Sequence, residues 1–402
     1  MTGRRGGTFV FTADPVFPPV SGADLRNWRT VLGAARLGPV TAVSLWGPPP
    51  GAAPTPPDDI TLATLSDATA AAVFRRPAGG TAVDLTFPEG WRERLDALLA
   101  GGAPQRIVIE HLGLAPLLAL PVLQGARRIL DMHNVESDLL AASEPLWRRL
   151  LTRDAKTRAV RAVERAMIAA VDEVWLCSAI DAARLARLHP GVPPLRVVPN
   201  AVPSTWRDGA LAGEPDARLR QDGPRLLFVG HLRYRPNIAA ALFLARRLLP
   251  LLRRRLPGAT LVLAGRAPHH RVRALAGPGV TLVEGPDDLG SLYAAADVAA
   301  VPLRVGGGTR IKVLEAMAAG LPVVATALAV EGLDLEPGRH VLIAERPESF
   351  VAAIERLWRD ADFAARQRAE ARAHVLGRFG AAVVDAAIAA GLAGPAGRPD
   401  KG

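Results

Sequence analysis

Cysteine, lysine and aromatic residues are scarce in this chain of 402 residues. The single cysteine, Cys177, excludes an intrachain disulfide and any metal site built from several thiolates. A reducing cytoplasm is the simple expectation. Aromatics make up 5% of the residues, and no stretch interleaves them with basic side chains as base stacking requires. Nucleic acid is therefore not an expected partner, in spite of a formal net charge of +10. Almost all of the positive charge is arginine, because lysine occurs only at Lys156, Lys312 and Lys401, against 46 arginines. Long apolar runs are missing too. The segment after Arg4 and Arg5 is cut short by Asp14, below the length of a signal peptide, and Leu112–Leu123 holds two prolines and falls short of a membrane span. No strand leads into G-x-G-x-x-G, which sets aside a nicotinamide-dependent dehydrogenase.

What is present is an aliphatic core repertoire. Apolar residues reach 49% of the chain, and the length suffices for two domains with separate cores. Thr8–Ala13 and Val40–Leu45 read as buried strands flanking a helix that ends near Ala35, and residues 47–60, rich in Pro and Gly, as a loop. Thr81–Asp84, Arg106–Glu110, a run ending at Asp131, Glu173–Cys177 and Arg196–Pro199 read as further strands. Trp91–Ala100 reads as a helix, and Ser178 as the cap of another. Trp147–Arg165 is a basic helix, either a solvated face or a surface for anionic lipid. Arg207–Gly223 is polar and Gly-rich, as a linker is. The pattern then restarts with a strand at Arg225–Gly230, a helix at Ile238–Leu256, strands at Ala259–Ala264 before Gly265 and at Val280–Val283, a helix from Leu289 and a strand at Val298–Leu303. Two successive βα series predict an α/β chain with two Rossmann-like domains. Residues 363–391 read as helical with interruptions near Gly377 and Gly380, and the tail from Gly394 as disordered.

In open parallel sheets ligands gather at the carboxyl ends of strands. Glu110 and His111 end one strand, and the segment Asp131 to Glu136, with His133 in it, ends the next. Together they form the best polar cluster of the first half. The second half offers Gly306–Val324, GGGTRIKVLEAMAAGLPVV. Gly306, Gly307 and Gly308 let backbone approach a ligand, and Thr309 reads as the cap of a helix that Gly320 and Pro322 stop. Arg310 and Lys312 put two cations in the first turn, where they oppose the helix dipole unless an anion such as a diphosphate binds there. Lys312 and Glu315 share a face, which suits either a surface ion pair or a carboxylate that holds a ribose diol. In so lysine-poor a sequence, Lys312 beside the glycines favours the ligand.

Gly306–Val324 resembles the donor-site signature of retaining glycosyltransferases of family four, in its GGGTR-x-K branch. The resemblance covers most of both halves and is strongest from Arg225 to Leu333. It implies two facing Rossmann-like domains with a cleft between them: an acceptor-side domain over residues 1–203, rejoined by a final helix at about 379–392, a linker over 204–223, and a sugar-nucleotide domain over 224–378. It further implies transfer of a hexose from a nucleoside diphosphate sugar to a saccharide or lipid-linked hydroxyl, without metal or other cofactor, in polysaccharide or glycolipid assembly. Association with the inner face of an anionic membrane is left open. Glu315 would hold the ribose, Arg310 and Lys312 the diphosphate, His133 with Glu136 the reacting centre, and Ser21 and Gly22 an acceptor-side turn that could equally be an ordinary strand-to-helix connection. The base would lie against Val283–Leu289, and Asn200 would begin the hinge. Gly307 stands where the family usually has a glutamate. His231 and Pro236 stand where it has an arginine and a lysine, so Arg233 or Arg235 near Gly230 is expected to take over charge neutralisation, unless both are screened surface residues. A same-fold epimerase and a non-catalytic sugar-nucleotide-binding protein are the alternative readings. Asp360-Ala361-Asp362 has the spacing of a metal-binding D-x-D but lies between helices and reads as a solvated turn.

Overall fold

The structure is a computed structural model that describes residues 7–19, 21–48, 55–69, 83–143, 154–202, 223–286 and 288–394. The chain divides into two compact units, Met1–Ala201 with Ala382–Gly402, and Val202–Ala381. Each is built on a parallel sheet, as the alternation of strands and helices predicts.

The first sheet has seven strands: β1 (Thr8–Thr12), β2 (Val40–Ser44), β3 (Ile60–Thr64), β4 (Arg106–Ile109), β5 (Arg127–Met132), β6 (Glu173–Leu176) and β7 (Leu195–Val197), in the order β3-β2-β1-β4-β5-β6-β7. Thr8 of β1 pairs with Val40 on one side and with Arg106 on the other. The order reverses between β1 and β4, which is the topological switch point where open sheets bind ligands. Successive strand residues face opposite sides, and the cores follow that rule. Phe9, Phe11, Ile107, Ile109 and Leu130 enter one core, while Val10, Val108, Ile129 and Trp175 enter another. The second of these is closed by Val31 and Ala34 of helix Gly22–Ala35 and by Val384, Ile388 and Leu392 of helix Ala381–Leu392. Close approach explains two glycines there. A β-carbon on Gly33 would lie 2.8 Å from Ile388, and one on Gly391 would lie 2.4 Å from the Trp175 ring.

The second sheet has six strands: β8 (Arg225–Val229), β9 (Thr260–Gly265), β10 (Val280–Glu284), β11 (Val298–Val301), β12 (Val323–Ala325) and β13 (Leu342–Ile343), in the order β10-β9-β8-β11-β12-β13. Its switch point falls between β8 and β11. One continuous core from Val202 to Phe379 fills this unit.

Some local expectations are corrected. The stretch read as a loop to residue 60 leads into β3, an edge strand whose Thr61 and Leu62 are exposed. Val83 and Asp84 are not in a strand, and Thr81 lies outside the described residues. The helix expected from Ile238 begins at Arg235, with Pro236 in its first turn where a missing N–H costs nothing, and it passes through a π-helical segment at Leu244–Leu248. Gly377 lies inside helix Ala361–Phe379, and the break comes only at Gly380. Asp360 caps that helix by accepting from the Phe363 amide at 2.9 Å. Of the basic stretch, residues 147–153 lie outside the described residues. Ala155–Ala169 is helical and buries Val160, Glu164 and Met167. The expected linker lies outside the described residues except for Gly223, and so does the tail from residue 395. Ala361–Leu392 has the length and composition of a membrane span, but it is broken at Gly380 and half of its most apolar window is buried in the protein.

Candidate active site

In the first unit, the ends of β4 and β5 beside the switch point place Glu110, His111, Asp131 and His133 around a small concavity that Asn134 and Glu136 also line. Helix Gly22–Ala35 supplies the groups behind them. Arg26 donates to Asp131, to the Val198 carbonyl at 2.8 Å and to Asn200 Oδ1 at 3.0 Å. Removing a guanidinium and a carboxylate from water costs several kcal/mol per ion, and only this degree of hydrogen bonding offsets it. Next to that pair, His133 Nε2 lies 3.2 Å from Glu110 Oε2. In the amide orientation that satisfies its neighbours, Asn27 donates to His133 Nε2 at 2.8 Å and to Glu110 Oε2 at 3.1 Å. Burial, reinforced by the Arg26 charge, pushes His133 down to about 4. Burial and then the Asp131 charge push Glu110 well up. The pair is therefore poised as neutral imidazole beside a carboxyl that resists ionising.

The remaining candidates of this unit have local duties. His111, also pushed down to about 4 by burial and by His133, accepts from the Gly113 amide at 2.9 Å and caps the turn Leu112–Leu114. Glu136 opens helix Glu136–Ser143 and accepts from Asn134 at 3.2 Å. Ser21 is exposed and caps helix Gly22–Ala35, accepting from the Asp24 amide at 3.2 Å, with exposed Gly22 as the first helical residue. Glu110, Asp131 and His133 also bring three ligand atoms within 4.8 Å of one another, a geometry able to hold a cation. The Arg26 guanidinium already occupies Asp131 and brings positive charge to the same spot.

In the second unit, the ends of β8 and β9 approach so closely that a β-carbon on Gly265, at φ +148°, would lie 1.8 Å from the Gly230 carbonyl oxygen. A β-carbon on Gly230 would lie 2.7 Å from Lys312 Nζ. These glycines let backbone and ammonium share one small space. Lys312 Nζ donates to Asn237 Oδ1 at 2.7 Å and lies 4.5 Å from the centroid of the Phe228 ring. Lys312 is half-buried, and burial lowers it to about 7, with Glu315 opposing and Arg310 adding to the shift. Glu315, 6% exposed, accepts from the Tyr293 hydroxyl at 3.2 Å, and burial holds its carboxyl up. The surface ion pair between Lys312 and Glu315 does not form, because each has another partner.

Two expectations for the glycine loop change. Thr309 is not the cap: helix Ile311–Ala318 has Arg310 at the N-cap position and no side-chain capping bond. The Arg310 guanidinium turns back onto its own loop, donating to the carbonyls of Gly308 and, at 3.0 Å, Gly306. It braces the loop, in which Gly308 adopts φ +61°, a conformation that glycine takes without a steric penalty. Gly307 is half-buried in the same loop. Arg233 and Arg235 are exposed on the segment after β8, where Arg233 lies near enough to His269 to disfavour its protonation, behind burial and its closer cationic neighbours.

Three residues that the sequence did not single out complete these sites: Asn27, Tyr293 and Asn237. Tyr293 is one of only two tyrosines and lies on helix Gly290–Ala295, which Asp288 caps through the amides of Gly290 and Ser291 at 2.8 and 2.9 Å. Asn237 is a poor helix former inside a helix, a weak signal that a partner holds it there.

Residues 223–360 match the family model described as Glycosyl transferases group 1. No curated protein matches the chain. Among solved structures, it resembles sucrose-phosphate synthase from Thermosynechococcus elongatus at 18% identity over 95% of this chain and 97% of that one, with a TM-score of 0.74. It resembles WaaG, a glycosyltransferase involved in lipopolysaccharide biosynthesis, at 16% identity over 96% and 100%, with a TM-score of 0.69. Anabaena Alr3699/HepE, solved in complex with UDP and glucose, gives 14% identity over 96% and 99%, with a TM-score of 0.67. At such identities the likeness is one of fold. The domain matched over residues 223–360, on a chain of two Rossmann-like sheets, makes this protein a glycosyltransferase.

Proposed function

We propose that the chain transfers a hexose from a nucleoside diphosphate sugar to a hydroxyl of a saccharide or lipid-linked acceptor, with retention, in polysaccharide or glycolipid assembly. The observation that carries this is Lys312: a half-buried ammonium at the switch point of the second sheet, held by an amide and a ring face instead of a carboxylate. A phosphate about 4 Å from such a charge is worth roughly 4 kcal/mol at an effective dielectric of ~20. At ~1.4 kcal/mol per pKa unit, that suffices to keep Lys312 charged near pH 7. Glu315, oriented by Tyr293, would accept from the ribose hydroxyls, and the Gly306–Gly308 backbone leaves room for the sugar. The neighbour solved with UDP and glucose is in line with such a donor.

In the reaction, the bond from the anomeric carbon to the diphosphate oxygen breaks with its electron pair passing to the diphosphate, and the acceptor oxygen bonds to that carbon. The acceptor proton passes to the departing diphosphate oxygen. Because Asn27 donates to His133 Nε2, the neutral ring carries its proton on Nδ1, and His133 would donate from there to an acceptor oxygen and orient it. Lys312 stabilises the leaving diphosphate electrostatically, so the reading needs no metal.

A thermal-shift panel of UDP-, GDP- and ADP-sugars tests the donor, since ligand at about 100 times its dissociation constant stabilises by ~2.7 kcal/mol. Product analysis with and without oligosaccharide acceptors follows. Transfer only with acceptor supports the proposal. An altered sugar without acceptor would identify an epimerase, and binding without either product a non-catalytic binder.

A further inference from the structure

The residue that fixes Lys312 lies outside the glycine loop and its helix. Asn237 is buried, 6% exposed, near the start of helix Arg235–Phe243. Its Nδ2 donates to the His231 carbonyl at 2.9 Å, and its Oδ1 accepts from Lys312 Nζ at 2.7 Å. The first bond decides the second: with the amide nitrogen committed to a carbonyl, the oxygen must face the ammonium. The other contacts of Nζ are the Phe228 ring and the space above Gly230 that a β-carbon would fill. None of these three groups carries negative charge. The charged groups bearing on Lys312 are Arg310 and Glu315, flanking it in sequence, and Tyr293 engages Glu315 from helix Gly290–Ala295.

An aspartate at 237 would satisfy the same ammonium with a full ion pair, while losing the bond to the His231 carbonyl. A neutral amide holds the ammonium in place without cancelling it. We propose that Asn237 is a positioning residue for the donor's pyrophosphate: it fixes Lys312 with an uncharged acceptor, so that the full charge is available to the ligand. The inference rests on reading this region as the donor site. Because Lys312 in the free protein lies at about 7, the ligand anion draws a proton onto it as it binds.

The test uses the full-length protein, Asn237→Asp and Asn237→Ala. UDP, GDP and ADP are titrated calorimetrically at pH 6.5 and 8.5, the parent nucleosides are followed by ligand-observed NMR, and the melting of each unliganded protein is recorded. In the wild type, the diphosphate that binds should bind more weakly at pH 8.5 than at 6.5. Asn237→Asp should melt close to the wild type, the ion pair with Lys312 offsetting the lost bond to the His231 carbonyl, bind that diphosphate roughly tenfold more weakly, lose most of the pH dependence, and bind the nucleoside as before. Asn237→Ala should also weaken the diphosphate and spare the nucleoside. Wild-type diphosphate affinity and pH profile in both variants would overturn the proposal. So would an equal loss for nucleoside and diphosphate, or melting of both variants far below the wild type, each of which marks a packing role. Failure of the wild type to bind any of the three diphosphates would instead overturn the donor-site reading beneath it.

Discussion

Arg26 in the first unit and Lys312 in the second are both cations drawn out of water beside the switch point of a parallel sheet, yet their surroundings treat them oppositely. Arg26 has a carboxylate, a carbonyl and an amide oxygen on its guanidinium. Lys312 has one neutral oxygen and a ring face. A buried charge that the protein satisfies in full belongs to the architecture. One that it holds in place but does not neutralise is prepared for something that arrives from outside.

The largest effect should come from breaking the saturated member. Arg26→Ala strands Asp131 in the core and should cost about 3–5 kcal/mol in urea denaturation, while Arg26→Met with Asp131→Leu should recover most of that loss. Lys312→Ala should do the reverse, with unfolding free energy within about 1 kcal/mol of wild type and kcat/KM for transfer down roughly 10²–10³-fold, by analogy with loss of an electrostatic stabiliser elsewhere. An equal stability loss in the two variants would dissolve the contrast. Titration sharpens it further. Lys312 is lowered to about 7, so its charged form is lost as pH rises through 7 and diphosphate affinity should weaken up to about tenfold per pH unit above that, measured by calorimetry. In the unliganded protein the sign is opposite: between about 7 and 10.5 the unfolded chain holds a proton on this lysine that the folded chain has released, so its penalty on stability is relieved as pH rises. His133, at about 4, should leave kcat without an acid limb between pH 5 and 7. His133 and His111 stay neutral in the fold where the unfolded chain protonates near 6.5, so stability should fall as pH drops from 6.5 towards 4, a slope that His133→Gln reduces. The smallest effect belongs to Ser21→Ala, about 0.5–1 kcal/mol in the melt for the lost cap and no change in the KM for acceptor.

The contrast was half legible in the sequence. The apolar runs of β1, β4, β8 and β11 announce themselves because both faces of those strands are buried, so the parallel sheets follow from pattern alone. β3 was missed because an edge strand with exposed Thr61 and Leu62 looks like the loop before it. Lys312 stood out only because lysine is so rare here. Its meaning depends on Asn237, 75 residues away in the chain, and no local spacing encodes such a pairing. Arg310 shows the opposite limit: its position beside the glycines suggested a ligand contact, whereas its side chain folds onto the carbonyls of Gly306 and Gly308, a choice made by short-range geometry that composition does not reveal.

Helix Ala381–Leu392 carries a consequence for biosynthesis. Ribosomes deliver a chain from its amino end, and domains generally fold as units once their residues have emerged. The core around Val10, Val31 and Trp175 lacks Val384, Ile388 and Leu392 until the whole of the second unit has been translated. The nascent first unit must therefore wait with that greasy face uncovered, so a unit that leaves the ribosome before the second is completed only after it.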